Sequence, residues 1–351
     1  MKTRLRLLHP PTPSSDDSTS GEILWRKLMR FCASSNQWRT LGEVHRATTS
    51  ACLALGLCAV LATTTSAYGQ APAKKATSEE KTLPTKDNAN VAITYFKATG
   101  GQDAPVVVML HGKGGSRQVW KAYAEALQKA DFAVVTVDLR GHGESTGGGG
   151  AAAAGKKADT SAPGKREYAA MVAGDMEAVK NFLRDEHQLK QLNMNKLAIV
   201  AADMSTPVAI AYTELDWKKT PYDDAPTLAL KTPRGQDVQA LILLSPETTA
   251  PGLSVSKSVD FIRVIGRPVL ICVGTKSKSD LTTANKMHDQ LAPKKEEKEQ
   301  IIYIERYESP LGGTNLLNKN LGVEKHMFVF LTKHLKDHKS DWRDRRSKLD
   351  L

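Results

Sequence analysis

The chain is expected to fold as an α/β protein, with a mostly parallel sheet of about seven or eight strands and helices on both faces. Three observations predict this. From residue 91 onward, short apolar runs alternate with amphipathic segments of helix length. Several runs, such as Val106-Val-Val-Met-Leu110 and Ala240-Leu-Ile-Leu-Leu244, are uninterrupted, as strands covered on both faces require. The composition, 40% apolar and 25% charged over 351 residues, suits a soluble globular chain and not a disordered one.

Taken in order, residues 91–98 alternate like a half-exposed strand, and 106–110 form a buried one. Helical spacing covers 119–130, followed by a strand at 132–137 and a long helix over 168–189. A strand at 197–201 runs into a helix at about 206–215. Strands at 238–244 and 268–273 flank a short helix near 255–264. A helix over 281–291, a strand over 300–307 and a closing helix over 321–335 complete the domain. The domain is expected to span 90–338, with a flexible lead-in at 72–89 and a charged, solvated tail at 339–351. Residues 147–155, Gly-Gly-Gly-Gly-Ala-Ala-Ala-Ala-Gly, read as an insertion, because a phosphate cradle needs placed glycines and not a homopolymer. The polar excursion 216–237 follows a helix and precedes a strand, which puts it at the N-terminal edge of the sheet.

Residues 1–71 differ. A 12-residue apolar core at 51–62 follows Arg39, His45 and Arg46, and small residues come after it, with candidate cleavage after Ala67 or Ala71. That is the plan of a secretory signal peptide, so the protein is expected to be exported, periplasmic or secreted, touching the membrane only in transit. A start at Met29 would give a leader of more ordinary length. Cys32, Cys52 and Cys58 lie in this segment, leaving Cys272 as a small buried hydrophobe. No Cys/His spacing resembles a metal site, and no cofactor or metal is expected. The formal charge of +11 is interspersed along the chain, which argues against nucleic acid as a partner.

Three stretches carry a family likeness: Leu110-His-Gly-Lys-Gly-Gly-Ser116, Asp138-Leu-Arg-Gly-His-Gly-Glu-Ser145, and the strand Asn195-Lys-Leu-Ala-Ile-Val-Ala201 that feeds a sharp turn. Together they resemble the α/β-hydrolase superfamily, closest to small uncapped members of the dienelactone-hydrolase or serine-aminopeptidase type. The resemblance implies an α/β-hydrolase fold without a sizeable cap domain. It also implies a nucleophile at the turn, an oxyanion hole, an acid and a histidine.

On that frame Asp203 stands at the serine position, between Ala201 and Ser205. The oxyanion donors would be the backbone N–H groups of Lys113 and Met204. Asp280 stands near the family's acid, with Glu247 as a second candidate. Leu311 stands where the histidine would be, and leucine cannot transfer a proton. Ser205 as nucleophile would leave Asp203 and Pro207 at flanks that need small side chains. His111 is structural in the family, and His326 lies within the closing helix. Asp203 is expected to cap the following helix as an ionised carboxylate.

The expected function is therefore an exported pseudoenzyme that binds a small ligand or an envelope partner. The alternative is a hydrolase of esters or related small substrates built on an unconventional Asp203 site. A third reading has the basic surface meeting an anionic polymer.

Overall fold

The computed structural model describes residues 78–145, 163–292 and 300–349. The expectations for the signal peptide, the Met29 start and the Gly/Ala tract fall outside the described residues. The expected architecture is present. Eight strands form one sheet: β1 (Ser78–Pro84), β2 (Asn90–Phe96), β3 (Pro105–Leu110), β4 (Ala133–Val137), β5 (Asn193–Ala202), β6 (Val238–Leu244), β7 (Val269–Gly274) and β8 (Ile302–Tyr307). Their spatial order is β1-β2-β4-β3-β5-β6-β7-β8. The pairs β1–β2 and β2–β4 are antiparallel, and the remaining five are parallel.

The helices are α1 (Lys121–Lys129), α2 (Lys165–Ala170), α3 (Met176–Gln188), α4 (Thr206–Trp217), α5 (Val255–Val264), α6 (Lys278–Leu291) and α7 (Val323–Leu331). A π-turn, Met171–Asp175, joins α2 to α3, so the expected helix over 168–189 has a one-turn irregularity. That turn presents Asp175, which accepts from Arg140 Nη2 at 2.6 Å, while Arg140 Nη1 reaches Asp87 at 2.6 Å.

Strand alternation divides the core into two layers. Val106, Val108 and Leu110 face a layer completed by Val179, Val208, Val259 and Ala284. Val107 and Met109 face the other, completed by Trp120, Leu127, Met327 and Phe330. Cys272 is a fully buried member of that second layer, as expected. The uninterrupted apolar runs are thus explained by helices on both faces. Among the described residues no inserted cap interrupts the stretch between β6 and α5.

Two boundaries move. Residues 78–84 of the expected lead-in form β1, paired along its whole length with β2. Its side chains are largely exposed, so backbone pairing holds it, and it covers an edge that would otherwise offer free N–H and C=O groups. The expected solvated tail is docked. Trp342 stacks on His187 with ring centroids 4.9 Å apart and donates from Nε1 to the His187 carbonyl at 3.0 Å. The buried Arg345 guanidinium pairs with Asp237.

The loop after β4 is structural. Buried Asp138 accepts from the Glu144 N–H at 2.9 Å and pairs with the Arg117 guanidinium. Ser145 Oγ donates to the Asp138 carbonyl at 2.7 Å and accepts from the Ala92 N–H at 2.8 Å. The motif thus fastens β2 to β4 beside the site.

Candidate functional site

The site is built where β5 ends. Ala201 and Ala202 are fully buried between β3 and β6, and the chain then turns on Asp203, whose φ is +47°. Left-handed backbone is costly for an L-residue with a side chain, about 1–3 kcal/mol, and persists only where the surroundings over-determine it. Here they do. Ser205 Oγ donates to the Ala202 carbonyl at 2.9 Å and accepts from the Ala202 N–H at 3.0 Å. Thr206 Oγ1 donates to the Asp203 carbonyl at 2.7 Å, and Pro207 opens α4, where a missing N–H does no harm. Ser205 is completely buried with its hydroxyl committed to the turn, so it lies under the elbow and not in the cleft.

The Asp203 side chain projects from the elbow between two glycines. A Cβ on Gly112 would lie 2.2 Å from Asp203 Oδ2, and one on Gly313 2.0 Å from it. Only residues without side chains fit on either side. Gly313 also has φ +53°, so glycine is required there twice over. The expected helix-capping role is not seen: among the described residues the Asp203 side chain makes no hydrogen bond to the turn or to α4, whose N-cap residue is Ser205. The Lys113 backbone N–H, one of the two expected oxyanion donors, lies close enough to the carboxylate to favour its ionised form. Met204, the other, follows in the turn with its side chain in the core.

The charge state also differs from the expectation. Burial, then the neighbouring Glu247 and Asp280, push the Asp203 carboxyl up to about 7, against the opposing Lys113 N–H bond. Partial protonation at neutral pH is the result. Glu247 is raised as well, by burial first and by Asp280, with Lys113 opposing. Both candidate acids therefore belong to the Asp203 site. Glu247 follows β6 by way of Ser245, a second left-handed residue with φ +47°, and its N–H donates to Thr206 Oγ1 at 2.9 Å. Asp280 lies in the first turn of α6, half-buried, so it starts a helix and faces the cleft at once.

The loop after β8 supplies what sequence reasoning missed. Leu311 does not face Asp203; it packs against the second core layer, and its carbonyl lies behind Gly274. The residues that meet the acids are Gly312 and Gly313. A Cβ on Gly312 would lie 2.9 Å from Asp280 Oδ2 and 3.0 Å from Ser245 Oγ. The Gly313 N–H donates to Ser245 Oγ at 2.8 Å, pinning the loop. The adjacent pair Gly312-Gly313 was the available signal, since one of two consecutive glycines often marks φ above zero.

No histidine hydrogen-bonds to Asp203 among the described residues. His111 is fully buried, with Nδ1 against the Gly112 carbonyl at 2.8 Å and Nε2 accepting from the Leu139 N–H at 3.2 Å. Burial pushes it down to about 4, so it is neutral and structurally engaged. His326 meets Tyr307 Oη at 3.0 Å and Glu305 at 3.6 Å. Among the described residues no group of three acidic, histidine or cysteine side chains is placed to hold a metal ion.

A family profile described as the alpha/beta hydrolase fold matches residues 105–249. Of solved structures, an esterase of Pyrococcus furiosus superposes over 74% of this chain and 92% of its own, at 14% identity and a TM-score of 0.51. A dienelactone hydrolase of Anabaena variabilis aligns over 74% and 99%, at 14% identity and 0.45. An esterase of Exiguobacterium antarcticum aligns over 72% and 100%, at 15% identity and 0.46. No curated protein matches the chain in sequence.

Proposed function

We propose that this chain, whose residues 105–249 match the α/β-hydrolase fold, is a member of that superfamily that binds a ligand or partner without hydrolysing it. The observation that carries this reading is the pairing of acids with glycines. Asp203 stands at the elbow against Gly313, and Asp280 stands against Gly312, where the fold needs an imidazole between nucleophile and acid. A half-protonated carboxyl is a weak nucleophile. An ester formed on it would have no base to activate the hydrolytic water. Removing the histidine of a working triad costs about six orders of magnitude in a well-studied protease.

One observation favours the alternative, hydrolysis on an unconventional Asp203 site. Acids used in general acid–base catalysis are often tuned close to neutrality by burial and like charges, as Asp203 is. The experiment that separates the two is hydrolysis of short p-nitrophenyl esters by the wild-type chain and Asp203→Ala. The pseudoenzyme reading predicts that both match the buffer rate; turnover that vanishes in Asp203→Ala would overturn it.

We also propose export, on the strength of the apolar core at 51–62 and the small residues after it. Sequencing the N-terminus of protein from the producing cell checks this: a mature start at residue 68 or 72 is expected, and one upstream of the apolar core at 51–62 refutes it.

A further inference from the structure

A second concave site runs alongside α3, from the β1–β2 turn to the N-terminal ends of β5 and β6. It is a cavity of about 330 Å³, walled by the β1–β2 turn, α3, the excursion after α4 and the docked C-terminal segment. At its base the charges are matched. The Lys180 ammonium pairs with Asp216 and lies 2.7 Å from Asp237 Oδ2, Arg345 pairs with the other Asp237 oxygen, and Lys219 pairs with Glu177 at 2.5 Å. Three further cations line the same space. Lys86 and Arg234 stand exposed at the rim with no ion pair among the described residues, Arg234 lying over the Tyr222 ring at 5.1 Å. Arg184 is half-buried, and among the described residues its one ion pair is a 4.0 Å approach to the exposed Asp185. Pairs of that kind contribute little.

We propose that this cavity binds a small anion carrying two or more charges, of the pyrophosphate or phosphate-ester class, held by Arg184 and Arg234 with Lys86 closing the rim. The volume suits a ligand of that size. Planar guanidinium groups match phosphate oxygens two at a time. The paired base supplies a rigid floor, so the ligand need satisfy only the three unmatched cations. Lys219 is consistent with the surplus: burial, then its neighbour Lys180, pull its ammonium below the ordinary value, and an anion in the cavity would reverse that pull. The site is independent of the Asp203 cleft and of whether that cleft is catalytic.

The test is calorimetric titration of the full chain with pyrophosphate at physiological salt, beside the Arg184→Gln/Arg234→Gln variant. Both side chains lie outside the buried pairs, so the variant should melt as wild type without ligand. Saturable binding to wild type, weakened at least about tenfold in the variant, is expected. Absence of saturable binding, or equal binding by both proteins, overturns the proposal. So does capture of the protein on phosphatidic acid vesicles when free pyrophosphate does not bind, which would assign the cations to a lipid surface instead.

Discussion

Acidic side chains gather at both edges of the sheet, and the two gatherings are built on opposite plans. At the N-terminal edge, Asp216 and Asp237 are fully buried and directly paired with Lys180 and Arg345. At the C-terminal edge, Asp203, Glu247 and Asp280 face one another with no ion pair among the described residues, and their mutual repulsion adds to the cost of burial. Matched charge is the signature of scaffolding; unmatched charge at a strained elbow is the signature of a site. The comparison also teaches what the site lacks. Among the described residues no histidine hydrogen-bonds to Asp203, and glycines face both Asp203 and Asp280.

The largest effect that would sharpen this contrast comes from breaking the matched edge. Lys180→Met removes the cation shared by two buried carboxylates and is expected to destabilise the fold by about 3–5 kcal/mol, read by urea denaturation. The mirror experiment at the unmatched edge should stabilise. The folded Asp203 carboxyl holds its proton up to about 7, well above an unfolded aspartate. The folded state therefore binds the proton more tightly, so stability falls as pH rises from about 4 to 7 and the penalty is complete above 7. Asp203→Asn is expected to raise stability by about 2–4 kcal/mol at pH 8 and by almost nothing at pH 4, measured by paired denaturation curves. A gain that is the same at both pH values would break the account of Asp203.

The glycine wall gives a smaller effect. Gly313→Ala must place a methyl on left-handed backbone and into Asp203. A loss of about 2 kcal/mol is expected, and it should shrink when combined with Asp203→Ala, because the clash is then gone and only the cost of the left-handed backbone remains. Smallest is Trp342→Ala, which removes the stack on His187 and should cost about 1 kcal/mol in thermal melts. No loss at all would return the C-terminal segment to the solvated tail that its charge suggests.

These differences also explain what could be read from the sequence. The central strands were legible because burial on two faces demands unbroken apolar runs, and β3, β5, β6 and β7 have them. The strand β1 was not, because Ser78-Glu-Glu-Lys-Thr-Leu-Pro84 is held through its backbone and carries no apolar alternation. That Asp203 and Asp280 would lie near one another was legible through family-like spacing. Contact with the acids falls on Gly312 and Gly313 and not on Leu311, because an irregular loop has no period to fix its register. The fate of Asp203 was misjudged for a different reason. Local sequence offers a helix start, whereas the Lys113 N–H and two other acids reach it from separate strands and loops.

The most direct measurement rebuilds what the elbow lacks. Ester turnover is compared among wild type, Asp203→Ser, Gly312→His and the double variant Asp203→Ser/Gly312→His. With Asp280 already beside residue 312, the double variant should rise above the buffer rate by at least about a hundredfold, while wild type and both single variants stay at it. Turnover by the wild-type chain that falls in the double variant would contradict the account, because Asp203 would then be a working residue and not an acid left without its base.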